Sequence, residues 1–307
     1  MTVAMHTPPA HDHALTFDVE EFFQVEAARR SGLCFEDWEG YESRIERPMD
    51  AILEMLADRG VRATFFMLGW VARRRPGLVR RVDQAGHELA SHGMSHRMVT
   101  ELTREEFRAE LTESRALLQD LTGQPVDGYR APTFSIMPAT SWAVDVLAET
   151  GYRYDSSMVP VMHDRYGMIG APQWRHRAIG PAGGEVLEIP PLTLRWLGRN
   201  WPVGGGGYLR LLPVGLVERG LRAANRQGQS AMMYLHPWEL DPDQPILPMD
   251  ARNRWRHRVG LARTARKLGR LMERHRFGPA CQFLADSRAC PVVRYGCDGG
   301  TTVDAEV

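Results

Sequence analysis

Short apolar segments alternate with amphipathic segments along most of this chain of 307 residues. Four apolar segments have the length of buried strands, namely residues 14–19, 63–68, 87–91 and 230–235. Between the first two, residues 47–59 carry apolar side chains at helical spacing. Strands that alternate with helices favour a parallel sheet, whose natural closed form is a (β/α) barrel. The sequence therefore predicts an α/β fold of this kind.

Weaker patterns of the same type extend the prediction along the chain. Further strands are expected at residues 127–131, 152–156 and 186–189. Further helices are expected at residues 76–85, 103–121, 141–149, 209–225 and 254–276.

The chain is expected to form one main domain over residues 14–285. Residues 1–13 are predicted to be a disordered leader, and residues 286–307 a C-terminal tail. Residues 159–208 are predicted to be an insert, because much of this segment is rich in glycine, proline and aromatic residues. Its glycine run at 204–207 predicts a tight or flexible loop, since no lysine follows as in a phosphate-binding loop.

The composition argues against several classes of partner. The formal net charge is zero, which gives no reason to expect nucleic acid or an anionic membrane surface. No segment approaches the roughly 20 apolar residues of a membrane helix, and the first residues lack the pattern of a signal peptide. We therefore expect a cytoplasmic protein in which four cysteines remain free thiols: Cys34, Cys281, Cys290 and Cys297.

Two histidines follow the predicted strand at residues 87–91. A separation of four positions would place the imidazoles of His92 and His96 one helical turn apart, where both can bind one divalent metal ion. The sequence therefore predicts a metal site after this strand.

Three carboxylates, those of Asp18, Glu20 and Glu21, stand at the end of the first predicted strand. Because alternate residues of a strand point to the same side, Asp18 and Glu20 can both face a pocket. One carboxylate can bind the metal ion while the other stays free as a general base.

The end of the strand at residues 127–131 carries Arg130. Its planar, permanently charged guanidinium can hold a carboxylate such as Asp18. Pro132 stiffens the following loop, so the backbone N–H of Thr133 can stabilise an oxyanion.

A further histidine, His236, follows the apolar strand at residues 230–235 and can protonate a leaving amine. Asp155 is a candidate to orient either His236 or Arg130. Trp238 is a candidate platform for sugar stacking, with core packing as the alternative.

These segments, T-F-D-V-E-E, S-H-G-M-S-H, R-A-P-T-F-S and Y-L-H-P-W-E, resemble the ordered motifs of the NodB-type polysaccharide deacetylases. The surrounding residues resemble most closely the deacetylases of exosortase/PEP-CTERM exopolysaccharide loci. The resemblance implies a distorted (β/α) barrel, a divalent metal ion that is commonly zinc, and hydrolysis of N-acetyl groups on amino sugars. An N-acetylated saccharide is then the substrate, and exopolysaccharide assembly proteins are possible partners.

The resemblance also assigns roles to individual residues. It implies that Asp18 is the base, that Arg130 holds it, that Thr133 is at the oxyanion position and that His236 is the acid. His92 and His96 match the metal ligands. The family commonly has two adjacent aspartates in its first motif, and Val19 replaces the second, so Glu20 becomes the expected third ligand and Glu21 the alternative.

Two other functions remain open from the sequence. One is a hydrolase of small amides or cyclic ureides on the same scaffold. The other is a carbohydrate-binding scaffold without catalytic activity, against which the presence of a base, a histidine pair and an acid argues.

Overall fold

The computed structural model describes residues 13–163, 166–296 and 300–304. Thirteen strands are described: β1 (His13–Val19), β2 (Thr64–Met67), β3 (Glu88–Ser91), β4 (Gly128–Tyr129), β5 (Tyr154–Asp155), β6 (His176–Ile179), β7 (Glu185–Glu188), β8 (Thr193–Trp196), β9 (Arg199–Pro202), β10 (Ala231–Leu235), β11 (Phe277–Gly278), β12 (Val292–Tyr295) and β13 (Thr301–Asp304).

Ten α-helices are described with them: α1 (Glu26–Arg29), α2 (Glu46–Ala57), α3 (Gly69–Arg74), α4 (Pro76–Gln84), α5 (Arg104–Thr122), α6 (Ala143–Glu149), α7 (Gly206–Leu211), α8 (Val214–Arg226), α9 (Ala251–Arg258) and α10 (Thr264–Arg274).

Most of the main sheet is parallel. Its strands lie in the order β10, β1, β2, β3, β4, β5 and β7, and each is parallel to its neighbour. After β7 the chain returns to β10, where the N–H of Leu192 donates to the carbonyl of Met232 at 2.8 Å. This contact joins the two ends of the parallel part. The predicted α/β fold is therefore confirmed, with the form of a distorted barrel.

The core lies between the sheet and the helices that cover it. Every residue of β1 is buried, and Phe17 stacks on Phe65 of the neighbouring strand with 5.2 Å between ring centroids. Helix α2 buries its apolar stripe, which includes Ile52 and Leu56. Burial on both faces explains why the strands are continuous apolar runs.

Two predicted helices are each divided in the structure. The helix predicted at 209–225 is broken between α7 and α8, where Pro213 is the residue before α8 and has no N–H to continue the earlier helix. The helix predicted at 254–276 is broken between α9 and α10, where Gly260 has a φ of 75°. Apolar periodicity continued across both breaks and concealed them.

The predicted insert and tail both contribute strands. β6 and β7 pair antiparallel within residues 159–208, while β8 and β9 form a separate hairpin. In the tail, β12 extends the main sheet by pairing with β6. The division into leader, domain and tail stays a prediction, and residues 1–12 of the leader lie outside the described residues.

Cys34, Cys281 and Cys290 are free thiols, as predicted, and Cys297 lies outside the described residues. Within the described ranges, no helix combines the length and apolar character needed to cross a bilayer.

Candidate active site

The end of β1 brings two carboxylates to one cavity. Asp18 Oδ2 and Glu20 Oε1 lie 3.8 Å and 3.7 Å from Nε2 of His236, while Val19 between them is buried in the core. The alternation of side chains at the strand end therefore directs both carboxylates to the same side, as the sequence predicts.

His92 and His96 lie in the loop after β3. This loop is not helical, contrary to the expectation of one helical turn: Gly93 has a φ of 76° and His96 a φ of 59°. The two imidazole rings nevertheless lie close together, with 5.3 Å between their centroids. A non-glycine residue in the left-handed region is strained, and such strain is concentrated at functional sites.

A carboxylate of α5 fixes this loop. Glu110 Oε2 accepts hydrogen bonds from the N–H groups of Met94 and Ser95, at 2.7 Å and 3.0 Å. The carbonyl of Gly93 accepts from the N–H of Gly69 at 2.8 Å. Sequence reasoning missed Glu110, because nothing in the local pattern of α5 separates it from the surface glutamates of that helix.

Glu20, His92 and His96 form a cluster whose ligand atoms all lie within 4.8 Å of one another. Glu20 Oε2 is 2.6 Å from His96 Nε2 and 4.0 Å from His92 Nε2. His92 Nδ1 is 2.8 Å from the carbonyl of Arg130, an arrangement that fixes the ring and directs Nε2 to the cluster. The donor set of two imidazoles and one carboxylate therefore fits a divalent metal ion.

The protonation states of His92 and Glu20 also suit metal binding. Burial lowers the pKa of His92 to about 4, so its ring is neutral at pH 7. Burial alone would raise the pKa of Glu20. The nearby histidines, His96 foremost, have the larger effect and lower this pKa to about 2. Metal ligation requires a neutral imidazole and an ionised carboxylate.

Glu21, the alternative metal ligand, bonds to the segment that contains Ser43 and Arg44. Its carboxylate accepts from the hydroxyl of Ser43 at 2.5 Å and from the N–H of Arg44 at 3.1 Å. It is therefore not part of the cluster with His92 and His96.

Arg130 is fully buried beneath Asp18. Its Nη1 donates to Asp18 Oδ1 at 2.6 Å and to the hydroxyl of Thr16 at 2.8 Å, and its Nε donates to the carbonyl of Ser156 at 3.1 Å. The guanidinium also lies over the ring of Phe66, 4.1 Å from its centroid. This arrangement holds one oxygen of Asp18 and leaves the other directed towards His236.

His236 has a partner that the sequence did not reveal. Its Nδ1 lies 3.2 Å from Oε2 of Glu239, and its backbone N–H donates to the same oxygen at 3.0 Å. Glu239 Oε1 in turn accepts from Nε of Arg210 at 2.8 Å. The motif Y-L-H-P-W-E contains Glu239, so the spacing of three residues was the signal that could have identified it.

The surroundings favour a charged ring at His236. Burial lowers its pKa, but the carboxylates of Glu20, Glu239 and Asp18 raise it to about 9. The ring can therefore carry a proton at pH 7.

The glycine run at 204–207 is only partly a loop, so the prediction of a tight or flexible loop was wrong for its second half: Gly205 forms a bridge with Tyr234, and Gly206 and Gly207 begin α7. A Cβ on Gly206 would lie 1.7 Å from Oε2 of Glu239. Only glycine allows the backbone to approach the carboxylate that supports His236.

Trp238 is not placed as a sugar platform. Its ring stacks on His236 and on His257, with centroids 5.1 Å and 4.6 Å apart, and only 8% of the residue is exposed. Its indole N–H donates to Glu20 Oε1 at 3.1 Å. The stacking contacts match the alternative prediction, that Trp238 packs in the core. The hydrogen bond from its indole also helps to position Glu20.

Asp155 lies behind Arg130 and is not the partner of His236. Its Oδ1 accepts from the hydroxyl of Ser157 at 2.6 Å, and that hydroxyl accepts from the N–H of Ala131 at 2.8 Å. Asp155 therefore contacts the segment that carries Arg130.

A cavity of about 240 Å³ opens in front of these groups. Its lining includes Asp18, Glu20, His92, His96, Thr133, Tyr166, Tyr234, His236 and Trp238. Thr133 has a φ of 57°, a strained conformation at the predicted oxyanion position.

Two parts of the chain match known protein families. Residues 24–154 match the family described as polysaccharide deacetylase, and residues 156–285 match a domain of unknown function, DUF3473. A chitooligosaccharide deacetylase from Sinorhizobium fredii is 36% identical over 97 residues, which are 31% of this chain and 42% of the relative. A peptidoglycan-N-acetylglucosamine deacetylase from Bacillus cereus is 30% identical over 95 residues, which are 31% of this chain and 34% of the relative.

A crystal structure from Mycobacterium smegmatis, provisionally assigned as a polysaccharide deacetylase, has the same fold. It aligns with a TM-score of 0.59 and 18% identity over 92% of both chains. The matches to the two named relatives span less than half of the length of each.

The α/β barrel thus carries a cluster of carboxylate and histidine side chains, and residues 24–154, less than half of the chain, match the polysaccharide deacetylase model. The chain is therefore similar to polysaccharide deacetylases over part of its length, in agreement with the resemblance of its motifs.

Proposed function

We propose that this protein is a metal-dependent deacetylase that removes N-acetyl groups from amino sugars of an exopolysaccharide or its precursor. The observation that supports this most strongly is the meeting of three units at one cavity. These are Asp18 held by Arg130, the cluster of Glu20, His92 and His96, and His236 held by Glu239.

Each unit has a role in hydrolysis of an amide. Glu20, His92 and His96 would hold a divalent ion, which the resemblance to the family indicates to be zinc. Such an ion, when bound, polarises the amide carbonyl and makes water more acidic. Asp18 accepts the proton that water loses as its oxygen bonds to the acetyl carbon.

The remaining groups act on the intermediate and the leaving group. The N–H of Thr133 donates to the oxygen of the former carbonyl. His236 gives its proton to the amide nitrogen as the carbon–nitrogen bond breaks, and the products are acetate and a free amino sugar.

The site also favours hydrolysis over a binding role without catalysis. A lectin has no need of a buried arginine that directs Asp18 and a histidine whose pKa is raised to about 9. Assignment to the exosortase/PEP-CTERM group rests on the sequence resemblance, as do exopolysaccharide assembly proteins as partners. A cytoplasmic location stays a prediction that cell fractionation would test.

Acetate release from a panel of N-acetylated oligosaccharides, with and without a chelator, tests the proposal. We expect release that stops with chelator and returns with zinc. Asp18→Asn should retain metal but lose about 10²-fold or more in turnover, while His92→Ala should lose both metal and turnover. Release from small amides or cyclic ureides alone would support the alternative hydrolase, and metal-free protein without release would support the carbohydrate-binding scaffold.

A further inference from the structure

The β8–β9 hairpin presents an unusual turn. Leu197 and Gly198 form its two-residue loop, with φ values of 49° and 75°, and Trp196 pairs with Arg199 beside it. A loop with both residues in the left-handed region is a type I′ turn, which strongly favours asparagine followed by glycine. Here a leucine takes the strained first position and is 79% exposed. Neither stability nor solubility accounts for an exposed leucine there.

The turn belongs to a larger apolar surface, which we call the hairpin patch. It comprises Met162, Ile169, Trp196, Leu197 and Trp201, whose exposed fractions are 72%, 66%, 57%, 79% and 49%. Among the described residues, these are half of the ten large apolar side chains that are exposed. Apolar side chains concentrated in one surface region indicate an interaction site.

The charged residues of the β8–β9 hairpin itself are both arginines. Arg195 and Arg199 flank the turn, and both are exposed. They also line a groove of about 780 Å³ whose other wall includes residues 160–163 and 169–171. Among the described residues, no carboxylate forms a salt bridge with either arginine. Two cationic groups beside an apolar turn complement an anionic, amphipathic partner.

The chemistry of these side chains points to a lipid surface. Tryptophan prefers the interface between headgroups and acyl chains, and arginine is attracted to anionic headgroups. Exposed leucine, isoleucine and methionine suit acyl chains better than the hydroxyl groups of a sugar. The hairpin is also fixed to the body of the protein, because Nδ2 of Asn200 donates to the carbonyl of Pro160 at 2.9 Å.

We infer that the hairpin patch docks this protein on anionic bilayers, with Leu197 and Trp196 inserted at the interface and Arg195 and Arg199 against the headgroups. The hydroxyls of Tyr208, on the groove, and Tyr166, on the candidate cavity, are 3.0 Å apart, so the bilayer would lie beside that cavity. Binding to a bilayer is independent of the proposed deacetylase activity and can be measured without it.

Cosedimentation of the full chain with vesicles tests this inference. We expect binding to mixed phosphatidylglycerol–phosphatidylcholine vesicles that weakens with salt, and much weaker binding to phosphatidylcholine alone. Leu197→Asn places the favoured residue in the turn, so the fold should keep its thermal stability while binding weakens about tenfold. Arg195→Gln and Arg199→Gln should each weaken binding about fivefold.

Matched controls use exposed residues outside the hairpin patch. Ile246→Asn and Arg80→Gln change residues of the same kind and should leave vesicle binding unchanged. Wild-type protein that ignores anionic vesicles, or a folded Leu197→Asn variant that binds them normally, would overturn the inference. Binding of a soluble acidic oligosaccharide at Trp201 in place of vesicles would likewise overturn it.

Discussion

Nδ1 of His236 lies 3.2 Å from Oε2 of Glu239, three residues further along the chain. The opposite ring nitrogen faces Asp18 and Glu20. Glu239 therefore orients the ring and stabilises its protonated form, while the other face of the imidazole remains directed at the cavity.

Replacement of Glu239 tests this relationship. In Glu239→Gln, the pKa of His236 should fall because a neighbouring negative charge is lost, and kcat should decrease by about 10²-fold. The alkaline limb of the pH–rate profile should move to lower pH, since the protonated ring is lost earlier. Asp155→Asn is the control, because Asp155 contacts Ser157 and not His236. An unchanged alkaline limb in Glu239→Gln would remove Glu239 from this role.

The close approach of Gly206 to Glu239 makes a second prediction. In Gly206→Ala the new Cβ would lie 1.7 Å from the carboxylate oxygen, so Glu239 must move away from His236. We expect kcat to fall towards that of Glu239→Gln while metal content is retained. Gly207→Ala is the matched control, because the nearest atom to its Cβ is 3.8 Å away. Equal kcat values for the two alanine variants would contradict the prediction.

The metal content of two variants tests which of the adjacent glutamates, Glu20 or Glu21, is the metal ligand. Glu20→Gln should lose most bound metal, since it removes one of three ligands from the cluster. Glu21→Gln should keep the metal, because Glu21 bonds to Ser43 and to the backbone of Arg44. Elemental analysis of both purified variants measures the difference. Metal lost from Glu21→Gln alone would reverse the assignment.

A buried pair of carboxyls predicts how stability depends on pH. Burial raises the pKa of Asp155 to about 6 and that of neighbouring Glu188 well above its ordinary value. Asp155 Oδ2 and Glu188 Oε2 find no N–H or hydroxyl donor among the described residues, so a proton between the two carboxyls satisfies both. Between the ordinary pKa and the raised one, the folded state binds more protons than the unfolded state. The stabilisation is complete below the ordinary pKa and is lost as the pH rises through the raised value.

Glu188→Gln removes one of the two titrating carboxyls. The free energy of unfolding should then decline less steeply as the pH rises through 6, the value to which the pKa of Asp155 is raised. Urea unfolding at a series of pH values measures this slope. Glu185→Gln, on the same strand, removes an exposed carboxylate whose pKa Arg177 lowers, so any change should be small and of opposite sign. A slope equal to that of the wild type in Glu188→Gln would show that the pair does not share a proton.

Local pattern was sufficient to predict that several candidate site residues lie close together. Asp18, His92, Arg130 and His236 each stand at or just after the end of an apolar segment, and the carboxyl ends of parallel strands meet at one edge of a barrel. The sequence therefore predicted the α/β fold and the convergence of these residues. It could not predict the breaks near Pro213 and Gly260, because apolar periodicity continues across them.

Side-chain partners depended on the tertiary structure. Glu239 faces His236 only because a short helical turn follows β10, and Glu110 reaches the histidine loop only because α5 packs against it. The net charge of zero likewise describes the whole chain and conceals the local charge of Arg195 and Arg199. Sequence alone determined which residues follow which strands, since strand and helix patterns are local. The fold alone decided which of them touch, since hydrogen bonds and ion pairs act over a few ångströms between residues distant in the chain.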